Sequence, residues 1–127
     1  MITALLIKKG TADWVTFKED VTPSLIKDFL GTEELISSSV RYLGMYRFRV
    51  YHKDYVVEPK YFTAVNPDDT SDIPEQCLII LTDVVGEEEV FLDLHSLARV
   101  KIKTNLFYYN IDDIQQPIIR WKISNSF

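Results

Sequence analysis

Met45-Tyr46-Arg47-Phe48-Arg49-Val50-Tyr51-His52-Lys53 alternates between two kinds of residue along its whole length. The even positions are Tyr46, Phe48, Val50 and His52; the odd ones are Met45, Arg47, Arg49, Tyr51 and Lys53. Successive side chains of an extended chain leave opposite faces, so the stretch predicts a strand with one largely apolar face and one basic face.

Outward from this stretch, short runs of β-branched and aromatic residues broken by turn formers predict further strands at 2–8, 13–18, 60–65, 76–82, 89–94, 98–103 and 117–123. The exception is Val21-Thr22-Pro23-Ser24-Leu25-Ile26-Lys27-Asp28-Phe29-Leu30-Gly31. Thr22 suits an N-cap, Pro23 the first helical position and Gly31 a left-handed stop. Leu25, Ile26, Phe29 and Leu30 share one helical face. The expected fold is therefore α+β: a predominantly antiparallel β-sheet with at least one short helix, about 23–30, packed on one face. The helix is expected to lie against Tyr46-Phe48-Val50 and Val100-Ile102. Asn66 to Pro74 reads as a surface loop, Val85 to Glu89 as a turn between strands, and Asn110 to Asp113 as another break.

The chain has 127 residues, 46% of them hydrophobic and 26% charged, which fits one domain over 1–127 with its own core. A net charge of −5 argues against general adhesion to DNA or an anionic membrane. The opening residues read as a first strand, no apolar run approaches the ~20 residues of a membrane span, and Cys77 has no second cysteine to pair with. A cytoplasmic location and no membrane partner are expected.

The four glycines, at 10, 31, 44 and 86, are too scattered for a phosphate-binding loop or a nucleophile elbow. One cysteine with His52 and His95 at no recognised spacing is a poor zinc set. Asp93-Leu94-His95-Ser96 places a carboxylate, an imidazole and a hydroxyl close in sequence, but triads are defined by spatial geometry, and the simpler reading is that Asp93 or Ser96 caps a turn. Glu33-Glu34, Asp68-Asp69 and Asp112-Asp113 read as solvated surface charge. No catalytic residue, cofactor or metal is expected.

Charge segregation is more informative. Arg99, Lys101 and Lys103 alternate with Ala98, Val100 and Ile102, and Arg120 and Lys122 alternate with Ile119, Trp121 and Ile123. With the strand at 45–53, these segments hold eight of the fourteen basic residues. Arranged in one sheet, Arg47, Arg49, Lys53, Arg99, Lys101 and Lys103 would form a basic patch with Tyr51 among them; otherwise they merely keep the outer faces soluble and deter edge association. Phe107-Tyr108-Tyr109 cannot all point inward from one extended segment, which makes Tyr108 and Tyr109 further candidates for binding.

Residues 1–82 resemble a small domain-of-unknown-function family from phages, plasmids and other bacterial mobile elements. The similarity lies in Ile2-Thr3-Ala4-Leu5-Leu6-Ile7-Lys8 as an opening strand, the Leu25 to Gly31 helix, a following hairpin, and Val65-Asn66-Pro67 before Cys77-Leu78-Ile79-Ile80. What it implies is a small accessory protein of a mobile element, acting by binding and blocking a host factor, with no catalytic residue to carry over.

The expected function is a noncatalytic interaction protein, an inhibitor of a bacterial host or defence protein whose acidic surface competes for a basic groove. The alternative is a nucleic-acid or nucleotide binder using the basic sheet face; a small hydrolase ranks third. Self-association into a homo-oligomer is compatible with either of the first two.

Overall fold

The computed structural model describes residues 1–8, 11–53, 61–64, 72–73, 76–105, 107–110 and 119–120. In chain order the elements are β1 (Ile2–Lys8), β2 (Thr11–Phe17), α1 (Pro23–Leu30), β3 (Ile36–Leu43), β4 (Tyr46–Lys53), β5 (Tyr61–Ala64), β6 (Asp72–Ile73), β7 (Cys77–Val85), β8 (Glu88–Phe91), α2 (Ser96–Asn105), β9 (Phe107–Asn110) and β10 (Ile119–Arg120). The α+β class expected from the sequence is the class observed. The expected loop at 66–71, Pro74, the break at 111–113 and the segment Trp121 to Ile123 lie outside the described residues.

A six-stranded antiparallel sheet runs β2-β1-β7-β4-β3, with β8 added to β7. β1 and β8 share one edge of β7: Leu5 to Ile7 pair with Cys77 to Ile79, and Thr82 to Val85 pair with Glu88 to Phe91. At the changeover Leu92 N–H donates to Leu81 O at 2.8 Å, and Leu94 N–H donates to Thr3 O at 3.2 Å. Asp93 Oδ1 accepts the Thr3 N–H at 2.7 Å. The backbone groups that β1 can no longer offer to β7 are thus satisfied by the chain leaving β8. A smaller sheet runs β10-β9-β5-β6.

Cys77 to Thr82 are all buried, so β7 is covered on both faces. On one face Cys77, Ile79 and Leu81 join Leu5, Ile7, Trp14, Phe48 and Val50 beneath Leu94, Ala98 and Ile102. On the other, Leu78 and Ile80 join Ala4, Leu6 and Phe17 beneath Ile26 and Leu30 of α1. This corrects the expected seat of the first helix: α1 packs on the face opposite Phe48 and Val50. The reason is two-sided burial. The apolar runs at 4–7 and 77–81 demand a cover on each side, and α1 supplies only one.

The other cover overturns a strand assignment. Residues 98–103 lie within α2, whose buried side chains are Ala98 and Ile102, in line with Leu94 just before it. Spacing by four is one helical face; the cations at 99, 101 and 103 mimic a period of two. At its start His95 O accepts from Arg99 N–H at 2.9 Å, and His95 Nδ1 lies 3.4 Å from Ala98 N.

α1 has the ends its sequence predicts. Thr22 Oγ1 accepts from Leu25 N–H at 3.3 Å, Pro23 opens the helix, and Gly31 at φ +66° turns its N–H to Asp28 O. β3 was not among the predicted strands. Ser37-Ser38-Ser39 lacks strand character, and β3 is held by pairing with β4 through every residue from Ile36↔Lys53 to Leu43↔Tyr46. The two-residue turn Gly44-Met45 sets that register: φ is +59° at Gly44 and is not positive at Met45, the sign pattern of a type II′ hairpin.

A helix at 96–105 makes a prediction that a strand does not. Val100 and Ile102 would share a strand face, whereas in α2 Val100 is 57% exposed and Ile102 is buried. Ile102→Ala should destabilise by about 2–5 kcal/mol, and Val100→Ala by less than about 0.5 kcal/mol, measured as shifts of the urea midpoint. Equal shifts would contradict the helix.

Candidate functional site

Arg47 and Arg49 project from the face of β4 opposite the buried Phe48 and Val50, as the alternation predicts. β7 and β8 place an acid beside them. The turn at Gly86-Glu87 pairs Val85 with Glu88, so Val84 faces Glu89 and Thr82 faces Phe91. Thr82 in turn pairs with Arg47. Glu89 therefore emerges on the arginine face and reaches across β7: its carboxylate accepts from Arg47 at 2.5 Å and from Arg49 Nε at 2.7 Å.

The cluster has further bonds. Arg47 donates to Thr82 Oγ1 at 2.6 Å, and Arg49 donates to Ser38 Oγ on β3 at 2.9 Å. The three charged side chains retain 18% (Arg47), 24% (Arg49) and 23% (Glu89) of their exposure. Burial by itself would raise the Glu89 pKa. The hydrogen bonds from Arg49 and Arg47 outweigh it and hold the carboxyl below its ordinary range. The bond to Glu89 likewise raises the pKa of Arg47, against the opposing effect of burial. Tyr51 lies on the same face, half-buried, with its ring 6.4 Å from that of Phe91. Burial raises its phenol pKa, the Arg49 charge pulls it down and the Glu89 charge pushes it up.

The predicted binding residues are thus partly gathered and partly dispersed. Arg47, Arg49 and Tyr51 come together, with Lys53 at the far end of the same strand, opposite Ile36. Arg99 and Lys101 belong to α2, which packs on the other side of the sheet; Arg99 is half-buried and Lys101 exposed. Lys103 is also in α2, and Tyr108 and Tyr109 are in β9, but their side chains lie outside the described residues. A strand at 98–103 in the same sheet would have let Arg99 and Lys101 join Arg47 in one patch; the helix separates them. Glu89, Thr82 and Ser38 were missed. Gly86 was the available signal, because a two-residue turn there fixes which face Glu89 takes.

The Asp93-Leu94-His95-Ser96 run is engaged structurally. Asp93 accepts from the Thr3 backbone and His95 lies at the start of α2 with its ring 5.5 Å from that of Tyr46. His52 Nδ1 lies 2.8 Å from the carbonyl of Lys53 and donates to it. The Cys77 thiol is buried, which pushes its pKa up and keeps it protonated. Among the described residues no three metal-binding side chains converge, and no helix is long and apolar enough to cross a membrane. An open cleft of about 350 Å³ between the end of β2 and α1 is lined by Thr16, Phe17, Lys18, Glu19, Leu25 and Phe29. Lys18 and Glu19 are its charged groups.

Some of the exposed apolar side chains lie in or beside the two hairpin turns, and others, among them Leu35, Leu97 and Val100, lie elsewhere. Arg47 pairs with Thr82, so the register carried two residues further brings Met45 level with Val84 and sets the two hairpin turns side by side. Met45 is 98% exposed, and Tyr42, Val84 and Val85 are each about half exposed or more. The chain matches no protein-family model, no curated protein and no solved structure.

The arginine–glutamate cluster predicts an acid-dependent stability. Because the folded state depresses the Glu89 pKa, the unfolded state binds the extra proton and stability rises with pH. The contribution is present above the ordinary glutamate value of about 4.3 and is lost as pH falls through the lower folded value. In urea titrations at successive pH values, Glu89→Gln should remove part of the acid slope seen in the wild type. An unchanged slope would show that the two arginines do not hold this carboxylate.

Proposed function

We propose that the protein is a noncatalytic interaction protein that recognises another protein through the hairpin end of its larger sheet. The observation that carries this reading is the exposure of Tyr42, Met45 and Val84 at the end of the sheet face that carries Arg47 and Arg49. Exposed apolar side chains stand at both turns, and exposed apolar patches are the kind of surface that marks recognition sites. Tyrosine and arginine are enriched among the residues that dominate binding energy. The bonds to Glu89, Thr82 and Ser38 orient both guanidinium groups in advance, which lowers the ordering cost of docking. In the mobile-element setting that the resemblance implies, the partner is a bacterial host or defence protein, and binding inhibits it.

The nucleic-acid reading loses support from the same geometry. Its cations divide between opposite sides of the sheet, and the two best placed share a carboxylate.

Affinity capture from bacterial lysate with the wild type and with Met45→Asp/Val84→Asp tests the proposal. Both positions are exposed, so the variant should melt like the wild type while failing to retain the partner. Recovery of no specific partner, or equal recovery by both proteins, would count against it. Binding to RNA or DNA that weakens steeply with salt would move the function to the alternative.

A further inference from the structure

We propose that the outer edge of β3 is the interface of a two-fold homodimer in which the larger sheet continues from one copy into the next. The inference rests on the hydrogen-bond parity of β3, and it shares Tyr42 with the hairpin-end surface proposed above.

The Gly44-Met45 turn makes Leu43 and Tyr46 a hydrogen-bonded pair. Arg41, Ser39 and Ser37 then also direct their backbone groups to β4, because the two kinds of pair alternate along an antiparallel ladder. Ile36, Ser38, Val40 and Tyr42 direct theirs away from the sheet. Among the described residues no strand pairs with that side of β3.

Open edges are ordinarily blunted by proline, lysine, a bulge or brevity. β3 has eight residues, neither proline nor lysine, and an unbroken register. Among the described residues the Arg41 guanidinium approaches this edge, 3.5 Å from the Val40 carbonyl, at the outer limit of a hydrogen bond.

The strand is complementary to itself. When Ser39 meets Ser39 of the second copy on the two-fold axis, Ser38 pairs with Val40 and Ile36 with Tyr42 of that copy, and the reciprocal pairs follow. All four outward residues then exchange bonds, about eight in total. Arg41 falls opposite Ser37 of the second copy, so the two Arg41 charges stand roughly 13 Å apart along the strands, beyond the Debye length of about 10 Å at 0.1 M salt. A slip that set Arg41 against its own copy would juxtapose like charges and leave fewer bonds. The favoured register also joins Ile36 to the ring of Tyr42, a cross-strand apolar pair.

Three measurements test the interface. The wild type should sediment with the mass of two chains. Ser39→Cys should oxidise rapidly to a covalent dimer, because residues facing each other across a non-hydrogen-bonded pair have Cα atoms about 4.5 Å apart, within disulfide reach. Ser37→Cys, on the same face but roughly 13 Å from its copy, should not; the buried Cys77 takes no part. Val40→Pro removes an outward N–H without touching the ladder to β4, and should give a folded monomer. A wild type that stays monomeric at all attainable concentrations would overturn the proposal. So would equal cross-linking at 37 and 39, or a folded Val40→Pro that remains dimeric. Should Val40→Pro fail to fold, the two cysteine variants decide alone. If Met45→Asp/Val84→Asp loses its partner yet stays dimeric, the β3 interface forms without Met45 and Val84.

Discussion

The burial of β7 on both faces governs this structure. A strand with Cys77 to Thr82 all withdrawn from water cannot serve a sheet that faces solvent on one side. Each face needs its own apolar cover, which α1 and α2 provide through Ile26 and Leu30 on one side and Ala98 and Ile102 on the other. The central position of β7 also imposes the changeover on its edge. β1 covers its first half and β8 its second, and the Asp93–Thr3 contact closes the backbone account where they meet. The chain beyond β8 is thereby delivered to the side of the sheet that α1 leaves bare, where α2 begins.

Features fixed by local chemistry were legible in the sequence. The cap residues Thr22, Pro23 and Gly31 define α1 without reference to the rest of the fold, and the β-branched runs mark β1, β4 and β7. Features fixed by neighbours were not. Ser37-Ser38-Ser39 has little reason to be extended until β4 supplies a partner. Ala98-Arg99-Val100-Lys101-Ile102 carries periods of two and four at once, and only the need for a second cover selects the helix. That need was itself readable in the uninterrupted apolar runs at 4–7 and 77–81, since a strand exposed on one face alternates.

The candidate site divides the same way. Alternation along β4 gave the face of Arg47 and Arg49, because it depends on one strand alone. What stands next to them depends on strand order and on two turns, and a single strand carries neither. Read in isolation, the arginines form a basic surface. Set beside β8 they share Glu89, and the net excess on that part of the face is one positive charge from three ionised groups. The distinction matters for function: cations free to neutralise phosphates bind nucleic acid, whereas guanidinium groups already held by a carboxylate present a fixed shape.

The cluster also answers a problem of coverage. α1 has eight residues, so it is about 12 Å long, while five strands at about 4.8 Å spacing make a sheet face roughly 20 Å across. One short helix cannot roof that face. Its residues lie over Ala4, Leu6, Leu78 and Ile80, and among the described residues no apolar lid covers the region of Arg47, Thr82 and Glu89. There the side chains change character: Ser38, Arg49, Arg47, Thr82 and Glu89 are linked by hydrogen bonds across all four strands. Partly exposed ion pairs add little by Coulomb attraction alone, but the guanidinium forks have directions as well as charges. They tie the register of β4 to that of β8 across the intervening strand, where burial is not available to do so.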